Sequence, residues 1–286
     1  MSTSNVPTPA AGPKPRHGQV CRSCASPRLD GRYCAHCGEK FVEPKDLTLV
    51  EFLKDAFHFQ THLDNRVVAT VLPILREPGI LTLAWIRGNR KDYAKPIQLF
   101  FVINVLFFLL ASKMGILLFT VSGYSSTHGL PGIAIASILA KQAELGYTAE
   151  QFIRALNSGL EPHKKWLFLI LIPITTLLLL VFHPRRKVLE HLVYSIHYAT
   201  FLFLFLMILA VFVQLTLLVG NATVLIRPLI ALCACYLIGY QLIAVRRVYG
   251  LSKLRAAMEA VVLTLGLAPA IIASERLAYY LAFHAL

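Results

Sequence analysis

Acidic residues are scarce in this chain: 15 Asp and Glu stand against 28 Lys and Arg, and charged residues fill only 15% of the 286 positions. With 56% hydrophobic residues, the chain is too apolar for a soluble domain of ordinary make-up. It lacks a phosphate-binding glycine loop, a G-x-S-x-G elbow and an H-E-x-x-H pair, so the common nucleotide, hydrolase and metalloprotease signatures are absent. No internal repeat is visible, which removes the usual trace of an inverted-repeat transporter. The opening MSTSNVPTPAAGPKPRHG has no apolar core, so no cleavable export signal is expected, and the N-terminus is expected in the cytosol.

What is present is unevenly distributed. Residues 1–96 have ordinary polarity, and the apolar residues collect in runs from Ile97 onward. On a soluble protein the net charge of +13 would point to nucleic acid. Here many Lys and Arg flank apolar runs, where they set orientation and meet anionic lipid headgroups on the cytosolic side. Five stretches approach the roughly 17–25 apolar residues a crossing helix needs. They lie at about 97–118, 166–182, 199–219, 228–245 and 256–273. Arg87, Arg90, Lys91 and Lys95 precede the first, Arg185, Arg186 and Lys187 separate the second and third, and Arg246, Arg247, Lys253 and Arg255 follow the fourth. The opposite loops are poorer in positive charge, which places the C-terminus in the periplasm.

The expected class is an all-α polytopic membrane protein with about five transmembrane helices, a small N-terminal cytosolic zinc ribbon of four cysteines and an amphipathic interfacial helix. Residues 1–19, with Pro7, Pro9, Pro13 and Pro15, read as a disordered leader. Residues 20–40 hold the cysteines, 46–95 form interfacial helices, and 96–286 form the bundle with an outer loop at 119–165. Thr48-x-x-Glu51 is a capping box that opens the first interfacial helix. Pro73 and Pro78-Gly79 interrupt that region. In the outer loop, Thr148-x-x-Gln151 is a second capping box, followed by Phe152, Leu156 and Leu160 on one stripe of an amphipathic helix expected against the outer leaflet or over the bundle.

Cys21-x2-Cys24 and Cys34-x2-Cys37-Gly38 carry the sharpest chemistry. Each C-x2-C closes a metal-binding turn, and two such turns supply four thiolates to a tetrahedral zinc ion. Disulfides, free thiols and a labile iron site are the alternatives, and a reducing cytosol argues against the first. Four cysteines leave no open coordination position, so the zinc would be structural. A second candidate site is Glu190, His191 and His197 at the cytosolic mouth of the second and third spans, set among His183, Tyr194 and Tyr198. A third is the helix face Glu51, Asp55, His58 and His62, a metal-binding face or a solvated one. Asn104, Gln214 and Gln241 within spans read as interhelical hydrogen-bonding residues or the lining of a path. Glu259 is placed to pair with Arg255 one turn away. Cys233 and Cys235 read as packing residues, and Asn221-Ala222-Thr223 as a glycosylation acceptor relevant only in a secretory host.

Several of these motifs together resemble an uncharacterised bacterial family of zinc-ribbon, multi-pass membrane proteins, a domain-of-unknown-function family. They are Tyr33-Cys34-Ala35-His36-Cys37-Gly38, Asp64-Asn65-Arg66, Pro78-Gly79, Gly88-x-Arg90-x-x-Tyr93-x-x-Pro96, Glu190-His191-Leu192-Val193 with His197, and Tyr240 through Arg246-Arg247-Val248-Tyr249-Gly250. The resemblance implies this architecture and a bacterial inner membrane, and brings no activity. The expected function is therefore non-enzymatic, with the ribbon binding a protein partner, sensing or assisting assembly, in a chain that can form a homo-oligomer. The rivals are a small-solute or metal-ion transporter or channel, and a membrane enzyme acting on lipid through Glu190, His191 and His197. Nucleic acid is a weaker partner, because residues 1–40 show no row of aromatics for base stacking.

Overall fold

The structure is a computed structural model that describes residues 20–27, 31–41, 48–52, 65–114, 133, 135–167, 169–218 and 222–286. The leader 1–19, the face of Asp55, His58 and His62, the loop residues 115–132 and Asn221 lie outside these residues. Among the described residues the chain forms nine α-helices, besides a helical turn at 49–52, and no extended strand. They are α1 Asn65–Arg76, α2 Ile80–Arg87, α3 Pro96–Met114, α4 Ile135–Leu145, α5 Ala149–Leu167, α6 Leu171–Phe182, α7 Val188–Leu218, α8 Ala222–Tyr249 and α9 Lys253–Ala285.

Three helices contain stretches long and apolar enough to cross a membrane: Val188–Thr216, Ala231–Tyr249 and Lys253–Ala285. By length and composition these helices mark the chain as a membrane protein. The apolar parts of α3 and α6, Pro96–Ala111 and Leu171–Phe182, are shorter. The run 166–182 is not one continuous helix: α5 ends at Leu167, a turn follows at 169–170, and α6 starts at Leu171. Pro173 falls in the first turn of α6, where its missing N–H costs nothing, so the sequence favours a helix start there. At 1.5 Å per residue α6 is only about 18 Å long, short of the roughly 30 Å hydrocarbon core.

The long helices overshoot instead. α7, α8 and α9 run about 46, 42 and 50 Å, so each carries roughly 12–20 Å more than the core requires. The overhang explains why polar side chains sit on helices otherwise built for lipid. α7 begins at Val188, eleven residues before the apolar run expected at 199, and its first turns carry Glu190, His191, Tyr194 and His197. The C-terminus of α8 and the N-termini of α7 and α9 meet at this same end of the bundle, as the contacts of Tyr249, His191 and Glu259 described below require.

The short helices α1 and α2 are too short to cross. They form a wedge packed on α7 and α8, with Val67, Thr70, Ile74, Leu81 and Thr82 buried. The wedge is pinned by polar bonds as well as by apolar packing. Tyr240 Oη donates to the Ile74 carbonyl at 2.7 Å, Arg247 reaches the Pro78 carbonyl at 3.0 Å, and Thr82 Oγ1 lies 2.9 Å from His197 Nδ1. The strap from α2 to α3 is held to α1 where the Ala94 amide donates to Thr70 Oγ1 at 3.0 Å.

The main apolar cluster joins the wedge, α3, α6, α7, α8 and α9. Phe203 of α7 packs against Phe100 and Phe107 of α3, and Phe201 stacks on Tyr240 of α8. A second cluster lies where α5 meets the far end of α9: Phe152, Leu156 and Leu160 bury against Ala278, Tyr279, Ala282 and Phe283. The start of α5 is a complete capping box. The Thr148 amide donates to Gln151 Oε1 at 2.8 Å, and the Gln151 amide donates to Thr148 Oγ1 at 3.3 Å. The stripe of α5 therefore covers protein at the end of α9.

Candidate functional site

The four cysteines fold as two copies of one turn. In the first, the Ala25 amide donates to the Cys21 carbonyl at 2.9 Å and the Cys21 amide to the Ser26 carbonyl at 2.8 Å. In the second, the Gly38 amide donates to the Cys34 carbonyl and the Cys34 amide to the Glu39 carbonyl, both at 2.8 Å. One isolated bridge closes each unit, Val20 to Pro27 and Tyr33 to Lys40. Both turns need a left-handed residue just after the second cysteine. Gly38 serves the second with φ 74°, and Ala25 serves the first with φ 58°. The glycine was legible in the sequence, but its alanine counterpart was not. A Cβ in this conformation costs roughly 1–2 kcal/mol, so Ala25→Gly is expected to raise the knuckle's resistance to metal loss. Slower release of metal to a competing chelator would show it, and unchanged release would contradict the strain.

The four sulfurs lie within 4.8 Å of one another and form the only group of three or more His, Cys, Asp or Glu ligands among the described residues with a metal-holding arrangement. Cys21 and Cys37 Sγ are 3.6 Å apart, and Cys24 and Cys34 Sγ 3.7 Å. Disulfide sulfurs sit about 2.05 Å apart. Four thiolates on a tetrahedral ion at about 2.3 Å are forced to about 3.8 Å from each other. The spacing therefore matches ligands converging on one ion, and the four cysteines can hold a metal. Their surroundings shift the thiols in opposite directions. The Ser26 hydroxyl and then its backbone pull the Cys24 thiol down to about 5. At Cys37 the Glu39 backbone pulls downward, but desolvation and the three neighbouring sulfurs outweigh it and hold the thiol up at about 12. A divalent ion at the centre would let all four ionise together.

The cysteine unit is docked on the wedge and its strap. Buried Glu39 places Oε2 2.8 Å from the Lys91 amide, which donates to it, and 2.8 Å from Ser23 Oγ. Ser23 Oγ also lies 2.9 Å from Asn89 Oδ1, and Arg22 hydrogen-bonds the Arg87 carbonyl. Nearby, the Arg90 guanidinium sits 3.8 Å over the Trp85 ring, and Phe52 meets Trp85 edge-on at 5.8 Å. No sequence pattern announced Glu39, because its partners are 16 to 52 residues away.

A second constellation forms a polar collar at the same end. Glu259, 3% exposed at its side chain, accepts from His183 Nε2 at 2.8 Å and from Arg255 Nε at 3.0 Å. The His183 ring lies flat on Tyr249, 4.1 Å between centroids and 1° from parallel. His191 Nε2 is 3.2 Å from the His183 carbonyl, so that nitrogen carries the proton, and Nδ1 accepts from Tyr249 Oη at 2.8 Å. Tyr194 donates to Gln241. The Arg255–Glu259 pair was legible from its one-turn spacing. The His183 partner, 76 residues from Glu259, was not.

The structure does not bring Glu190, His191 and His197 together. Glu190 pairs with Arg186 at 3.5 Å near the surface, His191 belongs to the Tyr249 system, and His197 is tied to Thr82. His197 lines a narrow cleft with Glu77, Tyr198 and Tyr240 between the wedge, α7 and α8, with room for about one water molecule. Of the polar residues in the spans, Asn104 Nδ2 and Gln241 Nε2 are buried without a hydrogen-bond partner, as is Thr264 Oγ1. Cys233 is partly exposed and Cys235 exposed on the outside of α8.

Comparison with known proteins adds one finding. No curated protein and no solved structure matches the chain. A family model described as a protein of unknown function (DUF3667) matches residues 64–108, the stretch that holds α1, α2 and most of α3. The Asp64-Asn65-Arg66, Pro78-Gly79 and Gly88-x-Arg90-x-x-Tyr93-x-x-Pro96 runs fall inside it, while the cysteine knuckle and the collar lie outside. Over the wedge and its strap the chain is similar to that uncharacterised family.

Proposed function

We propose that the chain is a non-enzymatic, multi-pass protein of the bacterial inner membrane whose cytosolic knuckle holds one structural zinc ion and presents a surface to a protein partner. The observation that carries this reading is the closed set of four sulfurs at tetrahedral spacing, which leaves no position for a substrate. The partner surface is suggested by Val20 and Tyr33, each 61% exposed, one residue before the first cysteine of its turn. Solvent-facing apolar residues held in equivalent places on a rigid knuckle suit a protein contact. Arg185, Arg186, Lys187, Arg246 and Lys253 ring the same end of the bundle and suit the anionic headgroups of a cytosolic leaflet.

The test is metal analysis of the purified full chain, followed by copurification. One zinc per chain is expected, with none in Cys34→Ser. Val20→Ser with Tyr33→Ser should keep the zinc and lose the partners that the intact chain retains. An unchanged partner set in both variants, or a wild-type chain without zinc, would overturn the reading.

A second reading has one observation in its favour. The amide nitrogens of Asn104 and Gln241 have no acceptor inside the bundle, a cost in lipid unless something polar visits them. They favour a path for a small solute or metal ion, and flux into vesicles that is lost in Gln241→Leu would support it.

A further inference from the structure

We infer that the knuckle is a metal-dependent latch on the wedge, with Glu39 carrying the metal state of the four cysteines to the strap that enters the bundle. This rests on the proposed metal reading and goes beyond it, because it gives the site an effect inside the chain itself.

The knuckle has almost nothing but metal to hold it. Its apolar core among the described residues is Cys21, Cys34 and Phe41, with two of those three themselves ligands. Two isolated bridges cannot order so short a segment, and a unit of this size folds only with a staple. Glu39 follows Gly38 directly and is fixed by the same turn: its carbonyl accepts from the Cys34 amide at 2.8 Å while its carboxylate reaches Lys91. Metal at the cysteines therefore sets both the backbone and the aim of Glu39.

The receiving side is short, and its backbone bonds to α2 end at Asn89, whose amide donates to the Ala84 carbonyl at 2.9 Å. Residues 88–95 link α2 to α3 without helical structure. At their start the Arg87 carbonyl, the Asn89 side chain and the Lys91 amide all meet the knuckle through Arg22, Ser23 and Glu39. At their end the Ala94 amide is tied to Thr70 of the wedge. The wedge is tied in turn to α7 and α8 through Thr82, Ile74 and Pro78. Loss of the metal would free one end of this strap and leave the other end anchored, so its effect is confined to the strap and the last turn of α2.

Hydrogen–deuterium exchange on the full chain in lipid nanodiscs reads the latch directly. With zinc bound, peptides over 86–93 should be protected, and a zinc chelator should raise their exchange more than tenfold while α7 and α8 stay unchanged. Glu39→Gln should keep one zinc per chain yet show the raised exchange already, with little further response to the chelator. Ser23→Ala, a smaller change, should fall between. If the chelator loosens 20–41 and leaves 86–93 protected, or if Glu39→Gln with zinc protects 86–93 as the wild type does, the latch is wrong and the zinc site stands. A chain that carries no zinc sinks both.

Discussion

Gly79→Ala should be among the most destabilising single substitutions in this chain, costing roughly 2–5 kcal/mol. Two penalties meet at this one position. Gly79 has φ 77°, where an L side chain costs roughly 1–2 kcal/mol. A Cβ there would also stand 2.9 Å from the Ala244 carbonyl oxygen and 3.1 Å from its Cα. Those are backbone atoms of α8, which cannot swing aside as the end of a side chain would, and forced overpacking adds roughly 1–3 kcal/mol. The wedge would have to lift, straining the Arg247 bond to Pro78 and the Thr82 bond to His197 beside it. Thermal unfolding in detergent should show a clearly lowered midpoint. A control at Gly146→Ala, also at positive φ but with open space around its Cβ, should cost only the backbone share. Equal shifts for the two would mean that the α2–α8 contact is looser than the structure shows.

How far the fold was legible depended on sequence separation. The Thr148-x-x-Gln151 capping box, the Arg255–Glu259 pair and the two C-x2-C turns are local, so spacing alone places their partners. The apolar runs were equally plain, but the helix bounds were not: the run from 199 belongs to a helix that already begins at Val188, and the run 256–273 to one that continues to Ala285. Hydropathy marks where lipid is tolerated and is blind to a helix continuing beyond it among polar residues. The run 166–182 misled for the opposite reason, since uniform apolarity hid the break before Leu171. The histidines show the same limit in the site. Glu190, His191 and His197 look like one group because they share a short stretch of helix, yet their partners are Arg186, Tyr249 and Thr82, on or beside three different elements.

The docked knuckle and the buried collar occupy one end of the bundle, and each depends on a single carboxylate. In both cases an acid among many bases has been drawn inward to satisfy donors from separate segments. That gives the scarcity of acidic residues a structural sense: Glu39 and Glu259 are buried organising groups.

Glu259→Ala should therefore cost far more than Arg255→Ala, although both break the same ion pair. The Arg255 side chain is 57% exposed, so water screens its charge and its bond to Glu259 is worth about 1 kcal/mol or less. Glu259 is 3% exposed and His183 9%, and their 2.8 Å contact is the buried one. Removing the carboxylate leaves the largely buried His183 ring, flat against Tyr249, without its acceptor. A buried donor that loses its acceptor costs about 1–3 kcal/mol. Glu259→Gln keeps the volume and one acceptor oxygen, so it should lose an intermediate amount. The three variants and the wild type compared by thermal unfolding in the same detergent give the ranking. Arg255→Ala as damaging as Glu259→Ala would place the important bond at the surface pair and remove His183 from the account.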